Sequence, residues 1–397
     1  MPIRERDTGG RRRLRVRAQG GFTLTELLIS LVLGAFVIGG VLSVFLGGLE
    51  TFRMTDSLSR MQESGRFAME LMRRDLREAG YVGCRNTLRQ EAPRTDGPLD
   101  PGLIRNTLTP APSGATDTLS FEYDFGVPLM AYEGTGDGSG SSWTAADDTA
   151  VAPTTVSLMT ATVDGETIVP RDDSDIVVMI IARGAGITVR DHVGGSPPGS
   201  ADIKVDGGSG IEEGDILLVT DCASAGVFAV TNINSSGGAG FDNIVHNTGS
   251  STPGNYTKAL GRTFVGAEVY RIERVAFFVA DHPDTGRPTL YRTGEEFAEE
   301  IAENVQQLQL LYGVDTTFDF RVNDYVTAEQ IRNDVNVSMD NVLAIRLNLL
   351  INSGEEDNLL ELPASLTLAG GTFTAENDDL RLYRVFTATV GVRNRLP

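Results

Sequence analysis

The sequence is poor in the residues from which catalytic and metal centres are usually built. Its 397 residues include three histidines (His192, His246 and His282), two cysteines (Cys84 and Cys222) and one tryptophan, Trp143. The histidines fall in separate turn-rich segments, and no His-Glu-x-x-His, Gly-x-Ser-x-Gly or paired-cysteine metal pattern occurs. The reading is therefore of a non-enzyme, with no catalytic residue, metal ligand or cofactor assigned. Basic residues are also scarce. Against 54 Asp and Glu there are 34 Lys and Arg, a formal net charge of −20, which argues against direct nucleic-acid binding. Proline is missing between Pro2 and Pro93, so nothing forces a helix to break there. Charge is missing from Leu27 to Leu49, a run of 23 residues. As a helix that run spans roughly 34 Å, enough to cross a bilayer core.

What stands before the apolar run is equally informative. A basic segment carries Arg4, Arg6, Arg11, Arg12, Arg13, Arg15 and Arg17 against Glu5 and Asp7, a net +5. It leads into Gly20-Gly21-Phe22-Thr23-Leu24-Thr25-Glu26. A secretory signal peptide is cut after its apolar core; here the candidate cut, Gly21-Phe22, precedes it. Glu26 is a lone carboxylate at the start of an apolar helix, a costly placement that points to function and a partner.

This arrangement resembles the class III signal of type IV prepilins and pseudopilins. The resemblance implies cleavage after Gly21 by a membrane-embedded prepilin peptidase, which also methylates the new amino terminus on Phe22. It implies that the apolar helix rests in the inner membrane until the subunit joins a fibre. Glu26 would then meet the N-terminal amine of a neighbouring subunit. The basic leader stays in the cytoplasm and everything after Leu49 is sent outward. Removing 21 residues leaves 376, carrying −25 because the leader takes +5 out of the total.

The expected fold class is α+β: a long N-terminal helix, membrane-spanning in its first half, packed on a C-terminal antiparallel sheet region. Residues 1–21 form the leader, 22–80 the helix with its transmembrane part at about 27–49, and 81–397 a periplasmic or extracellular globular region. Past the membrane run, Leu58, Met61, Gly65, Ala68, Met72, Leu76 and Ala79 recur at spacings of three and four, an apolar helical face for a sheet to cover. Glu70 and Arg74 are spaced for a helical ion pair, and Gly80 suits the helix end. Gly34, Gly39, Gly40, Gly47 and Gly48 suit either close packing in lipid or local stretching in a fibre.

Strands are expected at 118–123, 176–181, 216–220 and 269–279, the last forming a hairpin with 289–292. Phe297, Ile301, Val305 and Leu308 suggest a short helix running into a strand near 309–312. Strict alternation marks strands at 343–351 and 386–392. The Gly/Ser-rich stretch at about 131–156 reads as a flexible surface insert and lacks the features of a phosphate-binding loop. Asp172, Asp173 and Asp175, beside Asp191, read as solvated turn acids and not as a calcium site, as do Asp281 and Asp284. An exported chain meets an oxidising compartment, so a single Cys84–Cys222 disulfide is the natural reading; two unrelated buried thiols are the alternative.

Several motifs resemble one branch of the pilin family, the PilW-like minor pilins: Gly80-Tyr81-Val82-Gly83-Cys84, Asp221-Cys222 with Phe228, Leu311-Tyr312-Gly313-Val314-Asp315 and Val392-Arg393-Asn394-Arg395. The resemblance implies a minor pilin that primes assembly of a type IV pilus and is built into it, in a tip or initiation complex. Its partners would be the prepilin peptidase, other minor pilins and the major pilin. It would sit in the inner membrane before assembly and in the surface fibre after. The alternatives are a J-type minor pseudopilin of a type II secretion system, or a membrane-anchored adhesin that binds through the Gly/Ser insert or Trp143.

Overall fold

A computed structural model describes residues 21–83, 89–90, 97–109, 129–136, 142–146, 162–163, 165–192, 201–235, 240–249, 254–294, 298–354, 365–368, 371–376 and 379–395. The fold is α+β. The chain divides into two compact units, 1–56 and 57–397, and one continuous helix, Leu24–Glu78, runs from the first into the second.

In the first unit residues 21–55 are exposed, apart from half-buried Gly34. The helix holds through all five glycines of the apolar run, and a Cβ at any of them would meet nothing within 4 Å. The most apolar 18-residue window has a mean hydropathy of 2.6, with none of it buried inside the protein. Such a helix is long and apolar enough to cross a membrane.

In the second unit the helix is amphipathic as its spacing demands. Met61, Gly65, Ala68, Met72 and Leu76 are all buried. Gly65 lies against the Phe386 ring, where a Cβ would come within 2.6 Å of the nearest ring carbon; here glycine is a packing requirement. Gly80 takes φ 68° and donates its N–H to the Ile180 carbonyl at 2.8 Å, ending the helix on a strand of the sheet. Glu70 pairs with Arg73 at 3.7 Å, while Arg74 turns to Asp75 at 3.2 Å.

The helix faces two sheets. The larger has Glu268–Asp281 near its centre, antiparallel to Ile176–His192, Ile216–Thr220 and Pro288–Thr293. Parallel pairing occurs where Leu103–Asn106 meets Arg89–Gln90 and Ala225–Ala229. The smaller sheet orders Asp324–Val326, Val305–Val314, Val342–Asn352 and Tyr383–Gly391, antiparallel throughout. One core joins Met61, Ala68, Met72 and Leu76 of the helix to Val177, Met179, Phe277 and Val279 of the larger sheet and Leu308, Leu310, Ile345 and Leu347 of the smaller. A second core, around Ile203, Leu217, Phe228, Ile244 and Phe264, lies under the far part of the larger sheet.

Three sequence expectations change. The helix expected from Phe297 through Leu308 is two strands, Ala298–Glu303 and Val305–Val314, joined at Asn304 with φ 61°; Phe297 itself lies outside the described residues. Spacings of four, four and three resemble a helical face, but pairing of 298–303 with Pro288–Thr293 prevails through a register shift that buries Ala302 opposite Leu290.

Second, the acids at 172–175 are not solvated. Asp172 and Asp175 are buried. Asp175 accepts N–H groups from Gly134 at 3.0 Å and Leu310 at 2.7 Å, and Ser174 exchanges hydrogen bonds with Leu308. These residues fasten the larger sheet to the smaller, so their lone pairs serve the backbone instead of water. Asp173 and Asp281 both pair with Arg171.

Third, part of the stretch read as an insert is strand. Residues 131–134 belong to Leu129–Gly134, which pairs with Ile176–His192 and with Trp143–Ala145. The rest of the insert, at 137–141 and 147–156, lies outside the described residues, as does the strand expected at 118–123.

Candidate functional site: the helix start and its approach

Residues 21–23 belong to no helix or strand, and helical bonding opens with Leu27 N–H donating to the Thr23 carbonyl at 3.1 Å. Thr23 therefore occupies the N-cap and Glu26 the third helical position. The two side chains satisfy each other's backbone. Glu26 N–H donates to Thr23 Oγ1 at 3.3 Å, and Thr23 N–H donates to Glu26 Oε2 at 3.0 Å. The Thr23 hydroxyl adds a second bond to Glu26 Oε2 at 2.9 Å. This reciprocal capping box fixes where the helix begins, and the carboxylate lies at the positive end of the helix dipole. Sequence reasoning assigned Glu26 a partner in another subunit and passed over the one three residues away, although Thr-x-x-Glu before an apolar run is its signature.

Upstream of the cap, Gly21 has open space on the Cβ side and Phe22 is 85 % exposed. The dipeptide lies on accessible, non-helical backbone, which a peptidase needs. Downstream, Ser30 Oγ donates to the Glu26 carbonyl at 2.7 Å, so that polar group is satisfied within the helix.

Cys222 has φ 66° in a turn where the Asp221 carboxylate accepts the N–H groups of Ala223 and Ser224 at 3.0 Å each. Cys84 lies outside the described residues, so the expected bond between them does too. Its neighbours approach the same place: Thr220 Oγ1 donates to the Val82 carbonyl at 3.2 Å, and a Cβ on Gly83 would fall 2.4 Å from Thr220 Oγ1.

The histidines are less scattered than their sequence positions suggest. The His192 and His246 rings lie 6.1 Å apart in the second core, packed on Phe264 and Phe228. His192 Nδ1 accepts the Phe264 N–H at 3.1 Å. Burial lowers both imidazoles from their ordinary range, His246 to about 3, so both are neutral at pH 7. Among the described residues no group of three His, Cys, Asp or Glu is placed to hold a metal.

Two family models match the chain. The Prokaryotic N-terminal methylation motif covers residues 16–42, which include Gly21, Phe22, the Thr23–Glu26 cap and the apolar run as far as Leu42. Type IV Pilus-assembly protein W covers residues 276–394, from within Glu268–Asp281 through all four strands of the smaller sheet. The motif at 311–315 falls inside that match, the motif at 392–395 does so through Asn394, and those at 80–84 and 221–228 fall outside both. No curated protein and no solved structure matches the chain. With a prepilin methylation motif on an exposed apolar helix and a Type IV Pilus-assembly protein W match over the C-terminal sheet region, this chain is similar to the PilW-like type IV pilins.

Proposed function

We propose that the chain is a minor pilin that primes a type IV pilus and is incorporated into it, in an initiation or tip complex with other minor pilins. The observation that carries this reading is the Thr23–Glu26 cap directly after Gly21-Phe22 and directly before an exposed apolar helix. Cleavage after Gly21 turns the Phe22 nitrogen into an ammonium one residue before the N-cap. In a membrane-like interior that charge needs an anion. Glu26 is the only acidic side chain between Asp7 and Glu50, so it is the carboxylate this chain offers a neighbour's new terminus. The +5 leader keeps the N-terminus cytoplasmic and delivers the sheet region to the other side.

A Cys84–Cys222 bond belongs to the same reading. The packing of Val82 and Gly83 on Thr220 brings the two segments together, and export supplies the oxidant. The W-type match favours a pilus over a secretion pseudopilin. An adhesin reading built on Trp143 is weakened because that side chain is half-buried and packs against a buried apolar cluster of the larger sheet.

The test is Glu26→Gln as the only copy in the cell. Glutamine serves at the third position of a capping box, so the helix start survives and only the charge is lost. Insertion and cleavage should match wild type, while pilus number and recovery of pilin partners fall well below it. Normal piliation with normal partner recovery would remove the carboxylate from the assembly mechanism.

A further inference from the structure

Where the long helix ends, the acidic chain presents a cationic pocket. A cavity of about 400 Å³ is lined by Arg74, Arg77, Arg183 and Arg393, with Tyr81 and Tyr270 on its wall and Glu78 as a lining acid. The four arginines come from three separate parts of the fold: the last turns of the helix, strand Ile176–His192, and the Arg393–Arg395 turn. Two are already engaged, Arg74 with Asp75 at 3.2 Å and Arg183 with Glu273 at 2.7 Å. Arg77 and Arg393 are exposed and make no ion pair among the described residues.

The backbone is shaped to keep the cavity open. Between the pairs Val269–Ile187 and Arg271–Arg183 the ladder slips, so Gly184, Ala185 and Gly186 stand opposite the single residue Tyr270. Gly184 takes φ 82°, and a Cβ on Gly186 would come within 2.8 Å of the Tyr270 hydroxyl. The bulge thus depends on glycine twice, once for conformation and once for room for the phenol. Tyr81 packs edge-on to Tyr270 at 5.2 Å between centroids and donates to its hydroxyl at 3.3 Å; Tyr270 in turn donates to Glu268 at 2.5 Å.

Unneutralised guanidinium groups gathered in one concavity focus a positive potential. Their planar forks match the paired oxygens of carboxylate and phosphate. The volume suits one side chain or a small ion and excludes a large cofactor. We propose that this pocket binds an oxyanion, gripped by Arg77 and Arg393, with the carboxylate-paired Arg74 and Arg183 completing its lining. This inference is independent of the pilin reading.

The experiment is calorimetric titration of the full chain in detergent at low salt, with inorganic phosphate and separately with a capped tri-glutamate peptide. At least one titrant should bind, and binding should weaken at least tenfold in Arg77→Gln/Arg393→Gln. Arg190→Gln, which removes a surface pair with Asp206 elsewhere, should leave it unchanged. Tighter binding of the peptide assigns the ligand to a carboxylate on another chain; tighter binding of phosphate assigns it to a free oxyanion. Both substituted side chains are exposed, so the melting profile should be that of wild type. If it is not, Arg77→Lys/Arg393→Lys, which keeps the charge and loses the fork, should give intermediate affinity. No binding of either titrant to wild type, or equal binding by the glutamine variant, would overturn the proposal.

Discussion

Asp75→Ala probes how the helix is fastened to the sheets. Asp75 is fully buried on the helix face that otherwise carries Met61, Ala68, Met72 and Leu76. Its Oδ2 accepts Arg292 Nε at 2.7 Å, and Arg292 on strand Pro288–Thr293 is itself 4 % exposed. Arg74 lies 3.2 Å away and Arg183 3.8 Å. Deleting one partner of a buried pair leaves the other charge stranded, at about 3–5 kcal/mol. Glu299 still reaches Arg292 at 3.2 Å, so the cost should lie near the lower end, about 3 kcal/mol, which is still a large part of a domain's usual stability. Glu299→Ala should cost under about 1 kcal/mol because that side chain is half-exposed. Asp75→Ala/Arg292→Met should recover much of the loss, giving a coupling of at least about 1 kcal/mol. Urea unfolding of the full chain in detergent measures wild type, these three variants and Arg292→Met alone, five proteins in all, provided the denaturant slope stays constant. A cost under about 1 kcal/mol for Asp75→Ala, or a double variant no better than the sum of the singles, would refute the clamp.

Two further predictions concern the second unit. Peptide mapping of exported protein without reductant should find Cys84 joined to Cys222. The closed loop of 138 residues implies a stabilisation on the order of 4–5 kcal/mol, and two free thiols would contradict the pairing. Stability should also peak near pH 6–7. Burial lowers His192 and His246, whose unfolded value is about 6.5, so the unfolded chain takes up more protons and stability is lost as pH falls below that value. Burial pushes Asp175 up to about 8 against about 3.9 unfolded, so there the folded chain holds the extra proton and stability is lost as pH rises through 8. Thermal unfolding against pH should show both limbs, and His246→Phe should flatten only the acid one; an unchanged acid slope would contradict the assignment.

Much of this was legible in the sequence because it rests on local rules. The helix span follows from missing proline, the buried stripe from three-four spacing, and the strands at 343–351 and 386–392 from alternation, observed as Val342–Asn352 and Tyr383–Gly391. Features that depend on distant partners were not legible. Asp75 looks like a surface acid until Arg292, 217 residues away, supplies its counter-charge. His192 and His246 meet only because Asp202–Asp206 pairs with both Ile176–His192 and Phe241–Val245. Residues 298–303 carry a helix-like spacing, and tertiary pairing overrode it. At the N-terminus the cap was written in Thr23-x-x-Glu26 and was obscured by the more specific cleavage pattern around it.

The proposed role begins with maturation of this chain as a prepilin. Mass analysis of the N-terminal peptide of the membrane-associated protein tests it most directly. The expected species begins at Phe22 with a methylated amine, and replacing Gly21 with a bulky residue should leave the leader attached. A chain that still begins at Met1, or one cut beyond Ser43, would contradict the account.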